Sequence, residues 1–69
     1  MTYSIQFTPS QGTLMRILTQ VTRRAIPLEE ILATKGVVVL TLVVTEKQHG
    51  QLVRAWENQI DVTAVQVVS

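Results

Sequence analysis

Phe7-Thr8-Pro9-Ser10-Gln11-Gly12-Thr13-Leu14-Met15-Arg16-Ile17 is the stretch on which the fold of this chain turns. Upstream, Tyr3, Ile5 and Phe7 alternate with Ser4, Gln6 and Thr8, the period of two that marks a half-buried strand. Pro9 and Ser10 break that period and open a helix. Leu14, Ile17, Leu18, Val21 and Ala25 then fall on one helical stripe, with Arg16, Thr19, Gln20 and Arg23 opposite. Pro27 is expected to end the helix. A strand that runs into a helix through a Pro/Ser/Gly turn leaves backbone N–H groups unpaired at the helix N-terminus, where a small carboxylate can be held. This junction is the first candidate binding site. Gly12 is its most informative residue: it either eases the turn or lets a ligand reach the N–H groups of Gly12, Thr13 and Leu14.

Reading outward from the junction, Leu28 to Thr34 forms a second strand, with Glu29-Glu30 as its least strand-like pair. Neighbouring strand residues point to opposite faces, so these two carboxylates are expected to be solvated edge charges and not a catalytic pair. Lys35-Gly36 makes a tight turn into Val37 to Val44, a β-branched run suited to a central strand. Thr45-Glu46-Lys47-Gln48 has capping-box spacing and starts a second helix with His49, Leu52, Val53, Trp56 and Ile60 on one face. Thr63 to Val68 closes the chain as a fourth strand.

The order βαββαβ, without linker or repeat, predicts one domain over residues 1–69. The fold class is α+β: a ferredoxin-like four-stranded antiparallel sheet with two helices on one face. Two right-handed crossovers place the first and third strands at the centre and the second and fourth at the edges. The third strand carries Val38, Leu40, Leu42 and Val44 on one side, but Val37, Val39 and Val43 on the other. One helical layer covers only one of these faces, so the second is expected to meet a partner.

Composition narrows the function. At 69 residues, with no cysteine to form a disulfide, the core is small, and oligomerisation is a physical route to completing it. An apolar fraction of 46% against 16% charged residues argues for a globular domain. A net charge of +1 gives little drive toward nucleic acid or an anionic membrane. The longest apolar run is too short to span a bilayer and no signal-peptide pattern opens the chain, which predicts a soluble cytoplasmic protein.

Several uses of a ferredoxin-like plan lack their chemistry. Without cysteine there is no soft-ligand pair for copper, and without aromatics on the third strand there is no stacking platform for RNA. The three glycines lie too far apart for a phosphate-binding loop. His49, the single histidine, has no Ser, Cys or Asp placed near it in sequence, so a boundary position is a simpler reading than a catalytic one. Trp56 reads as core. Arg16, Arg23 and Arg24 make the first helix modestly basic, either as a solvated face or as a dock for an acidic partner surface.

Gln11-Gly12-Thr13-Leu14-Met15-Arg16-Ile17, followed by Arg23-Arg24-Ala25-Ile26-Pro27-Leu28-Glu29-Glu30-Ile31, resembles the opening of ACT domains. Gln59-Ile60-Asp61-Val62-Thr63-Ala64-Val65 is similar to the stretch that ends ACT domains of acetohydroxyacid synthase small subunits. The resemblance implies a single ACT-type unit acting as a non-catalytic regulatory subunit in branched-chain amino-acid biosynthesis. It would pair as a homodimer through strand two and bind and activate the catalytic subunit of acetohydroxyacid synthase. Thiamine diphosphate, flavin and magnesium are expected in that catalytic partner and no cofactor in this chain. The resemblance also implies an amino-acid effector at Gln11, Gly12, Thr13, Leu14 and Leu28. Val37, Val39, Val43, Arg16 and Arg23 are the candidate partner-binding residues. Pro9 and Pro27 stand where feedback-inhibited members carry asparagine, and Ala25 replaces a glycine. A stand-alone amino-acid sensor is the alternative function, and a small enzyme using His49 a distant third.

Overall fold

The computed structural model describes residues 1–68. Its elements are β1 (Thr2–Phe7), α1 (Thr13–Arg23), β2 (Leu28–Thr34), β3 (Val37–Leu42), α2 (Glu46–Glu57) and β4 (Val62–Val67). The sheet order is β2-β3-β1-β4 and every neighbouring pair is antiparallel. The expected ferredoxin-like α+β fold is therefore present, with β1 and β3 central and β2 and β4 at the edges.

One face of the sheet makes the core. Tyr3, Ile5 and Phe7 from β1 and Val38, Leu40 and Leu42 from β3 are buried against Ile17 and Val21 of α1 and Leu52 and Trp56 of α2. Alternation accounts for this directly, because every second residue of a central strand faces the helices. Trp56 is fully buried, and its indole Nε1–H donates to the Ile17 carbonyl at 3.0 Å, so its one polar atom is satisfied while it ties the two helices together.

Helix ends follow sequence unequally. Thr45 caps α2 as its spacing predicted: its hydroxyl accepts from the Gln48 N–H at 3.1 Å, and Gln48 Oε1 accepts from the Thr45 N–H at 2.9 Å. The end of α1 differs. The helix stops at Arg23, not at Pro27, and Ala25 takes a left-handed φ of 53° outside the helical stripe. The Ala25 N–H donates to Thr22 O at 3.0 Å and the Ile26 N–H to Val21 O at 3.2 Å, the bond pattern of a Schellman turn. Val21 and Ile26, the residues that flank this turn, both belong to the core. Pro27 follows a helix that has already ended.

Three further boundaries move. β3 ends at Leu42, two residues early, although the Val43 N–H still donates to Pro27 O at 3.1 Å. β4 spans Val62–Val67 and not 63–68. Ile60, expected on the core face of the second helix, lies beyond that helix and is 97% exposed. Register shifts leave Glu29 unopposed between Leu28↔Leu42 and Glu30↔Thr41, and Thr63 unopposed between Ala64↔Gln6 and Val62↔Phe7. The bulge at Glu29 interrupts strict alternation of the strand at the Glu29-Glu30 pair. Both are exposed.

Candidate functional site

The β1–α1 junction is built by three strands' ends and one loop. The Phe7 N–H donates to Gly36 O at 2.9 Å, fastening the end of β1 to the β2–β3 turn, and the Thr8 N–H donates to Asp61 O at 2.7 Å. Pro9, Ser10 and Gln11 then lead to Gly12, which caps α1 with φ 84° and offers no side-chain hydrogen bond. A Cβ at Gly12 would meet only the flexible Arg16 Nη1, at 3.2 Å. Conformation, not space, is what demands glycine there.

Asp61, on the loop between α2 and β4, presents its carboxylate to this junction. Ser10 Oγ lies 2.5 Å from Thr13 Oγ1, and Thr13 Oγ1 lies 3.1 Å from Asp61 Oδ2. The Thr13 hydroxyl donates to Asp61 Oδ2, and the Ser10 hydroxyl, 3.3 Å from the same oxygen, shares its one proton between Thr13 Oγ1 and that carboxylate. Arg16 closes the group with a charge-assisted contact from Nη2 to the same carboxylate oxygen. The hydrogen bond from Thr13 is the main reason that the Asp61 carboxyl titrates below its ordinary value of 3.8; Arg16 and Ser10 add to it, and partial burial opposes it. A negative charge beside the first turn of a helix is also favoured by the helix dipole. Gln59 adds a backbone tie, donating from Nε2 to Arg16 O at 3.1 Å, while its Oε1 is buried without a partner among the described residues.

The structure thus gathers Gln11, Gly12, Thr13, Leu14 and Arg16 at one junction. Gln11 is exposed, Thr13 is fully buried and Leu14 packs on the rim of the core. Leu28 is not brought to them. It opens β2 opposite Leu42, whereas the junction abuts the β2–β3 turn at the other end of the sheet. Sequence reasoning missed Ser10 and Asp61 as members of this cluster. Asp61 lies within the Gln59–Val65 stretch, but no local spacing says that a loop 45 residues beyond Arg16 returns to it.

The proposed partner residues divide by place. Val37 and Val39 lie on the sheet face away from the helices, half-buried by their neighbours Thr34, Leu32, Ser4 and Gln6. Val43 is exposed just past β3, and Arg23 is exposed at the end of α1. Arg16 is engaged by Asp61 and is not a free cation.

His49 sits in the first turn of α2. The buried Tyr3 phenol oxygen is hydrogen-bonded to its Nδ1 at 2.7 Å, with Met1 Sδ 3.3 Å from the same oxygen. Burial raises the Tyr3 phenol above its ordinary value of 10.0, which keeps it a donor at neutral pH. Tyr3 also packs edge-on to Trp56, with ring centroids 5.2 Å apart. The histidine is a structural partner at the core boundary. Among the described residues no cluster of three or more His, Asp or Glu side chains is placed to hold a metal ion. Among the described residues no helix is long and apolar enough to cross a membrane. No protein-family model matches the chain, and no curated protein matches it.

Proposed function

We propose that this chain is a non-catalytic, ACT-type regulatory subunit that binds and activates the catalytic subunit of acetohydroxyacid synthase. One observation carries the reading. The two segments in which the chain resembles that family, Gln11–Ile17 and Gln59–Val65, close on each other through Arg16–Asp61 and Gln59–Arg16. Residues distant in sequence thus form one unit around the β1–α1 junction, on a fold suited to that role. The chain works as a homodimer through β2. Antiparallel pairing centred on Ile31 sets Leu28 of one copy against Thr34 of the other, beside the junction that Leu28 does not reach within its own chain. Co-expression with the catalytic subunit, assayed for acetolactate formation, tests the proposal. Association with a gain in activity is expected, and absence of both rejects it.

The amino-acid sensor is a weaker reading of the same junction. Its two hydroxyls and guanidinium already receive an internal carboxylate, so an effector would have to displace Asp61 or bind beside it. Calorimetric titration with branched-chain amino acids, serine and glycine tests the sensor: binding that depends on Gly12 is expected of it, and a flat titration rejects it.

A further inference from the structure

A groove of about 590 Å³ runs along the outer flank of α2, away from the β1–α1 junction. Lys47, Gly50, Arg54 and Ala55 supply its length from α2, and Arg24 joins from the end of α1. Three of the six cations of the chain line it against a single anion, Glu46, so its lining carries a net charge of +2 where the whole chain carries +1. Arg24 is held in place by donating from Nη1 to Gln20 O at 3.0 Å and Gln20 Oε1 at 2.9 Å. Neither Lys47 nor Arg54 has an ion-pair partner among the described residues.

Gly50 is the residue that gives this flank its meaning. Gly12 and Gly36 have φ of 84° and 86° and are required by their turns. Gly50 has no such excuse: it lies inside α2, where glycine weakens a helix, and a Cβ there would meet nothing within 4 Å. Nothing inside the molecule asks for the missing side chain. An external backbone that passes close over α2 would.

We propose that the groove is a docking surface for an acidic helical segment of a partner protein, its backbone riding over Gly50 and its carboxylates meeting Lys47, Arg54 and Arg24. A helix fits because α2 presents a flank of 12 residues, roughly 18 Å long. Nucleic acid fits worse. Phe7, Tyr3 and Trp56 are all in the core, so no aromatic ring is available in the groove for base stacking. The inference rests on the groove alone and stands whether or not the partner is the synthase.

The test is a titration of the ¹⁵N-labelled full chain with a capped alanine-based helical peptide carrying glutamates along one face, with a glutamine version as control. Amide shifts confined to α2 and the neighbourhood of Arg24, for the glutamate peptide only, are expected. Lys47→Glu combined with Arg54→Glu should weaken binding about tenfold, the effect of reversing two exposed charges. Gly50→Leu should raise the Tm of the free chain while weakening the peptide, a pairing that a merely structural glycine would not produce. Equal shifts with the glutamine peptide, shifts centred on β2 or the open sheet face, or unchanged binding in both variants would overturn the proposal. So would displacement of the peptide by an equal concentration of an oligouridylate.

Discussion

Ala25 occupies a backbone conformation that alanine dislikes. Its φ of 53° places Cβ against the following carbonyl, a penalty that glycine does not have. The Schellman turn around it is otherwise complete, with both carbonyl partners in place and Val21 and Ile26 both in the core. Ala25→Gly should therefore stabilise the fold by about 1 kcal/mol, net of the greater freedom of glycine in the unfolded chain. Urea unfolding would show a higher midpoint with an unchanged slope. The same residue explains why the helix end was misread in sequence. Glycine at that position would have announced the turn, whereas alanine, the best helix former, prolonged the apparent stripe.

Asp61 makes a second prediction at this scale, and its sign follows from the direction of the shift. Its carboxyl titrates lower in the folded chain than its ordinary 3.8, chiefly because the Thr13 hydroxyl donates to it. The stabilisation is thus fully present above the unfolded value and is lost as pH falls through the folded one. Asparagine cannot ionise, so the Tm gap between wild type and Asp61→Asn should stay constant from about pH 7 to about pH 4 and close below that. A gap that widens on acidification would contradict the assignment. Nothing in the sequence marks Asp61 for this role, because the contact is made between distant loops and not by local spacing.

Elements were legible where local signals and tertiary packing agreed. β2 was read with its observed limits, and α2 began at Thr45 because the capping box is a purely local device. Thr45→Ala removes one half of that box and leaves the Gln48 N–H without its acceptor. It should destabilise the chain by about 1 kcal/mol, and hydrogen exchange should quicken first in the opening turn of α2. The bulges at Glu29 and Thr63 were not legible. A bulge is a mismatch in count between two paired strands, so it belongs to the pairing and leaves no period in either strand alone.

At the scale of the whole molecule, the helices cover only half of the apolar sheet. Every residue of β2 is exposed, including Leu28, Ile31 and Leu32 at 44%, 41% and 61%, on an edge whose outward N–H and C=O groups have no strand beside them. A seven-residue edge of this kind favours addition of another strand, and β2 of a second copy is the self-complementary choice. If the copies pair there, folding and association are linked, and the Tm should rise with protein concentration. Symmetry also chooses the variant that tests it. Antiparallel pairing centred on Ile31 puts that residue opposite its own copy, so Ile31→Lys sets two like charges face to face. Because Ile31 is already partly exposed, the substitution should leave the monomer folded. Sedimentation should then find the wild type as a dimer at micromolar concentration and Ile31→Lys as a monomer, with its Tm independent of concentration. A wild-type chain that sediments as a monomer would show instead that β2 tolerates its exposed edge, and the Glu29 bulge with its paired charges would be the device that protects it.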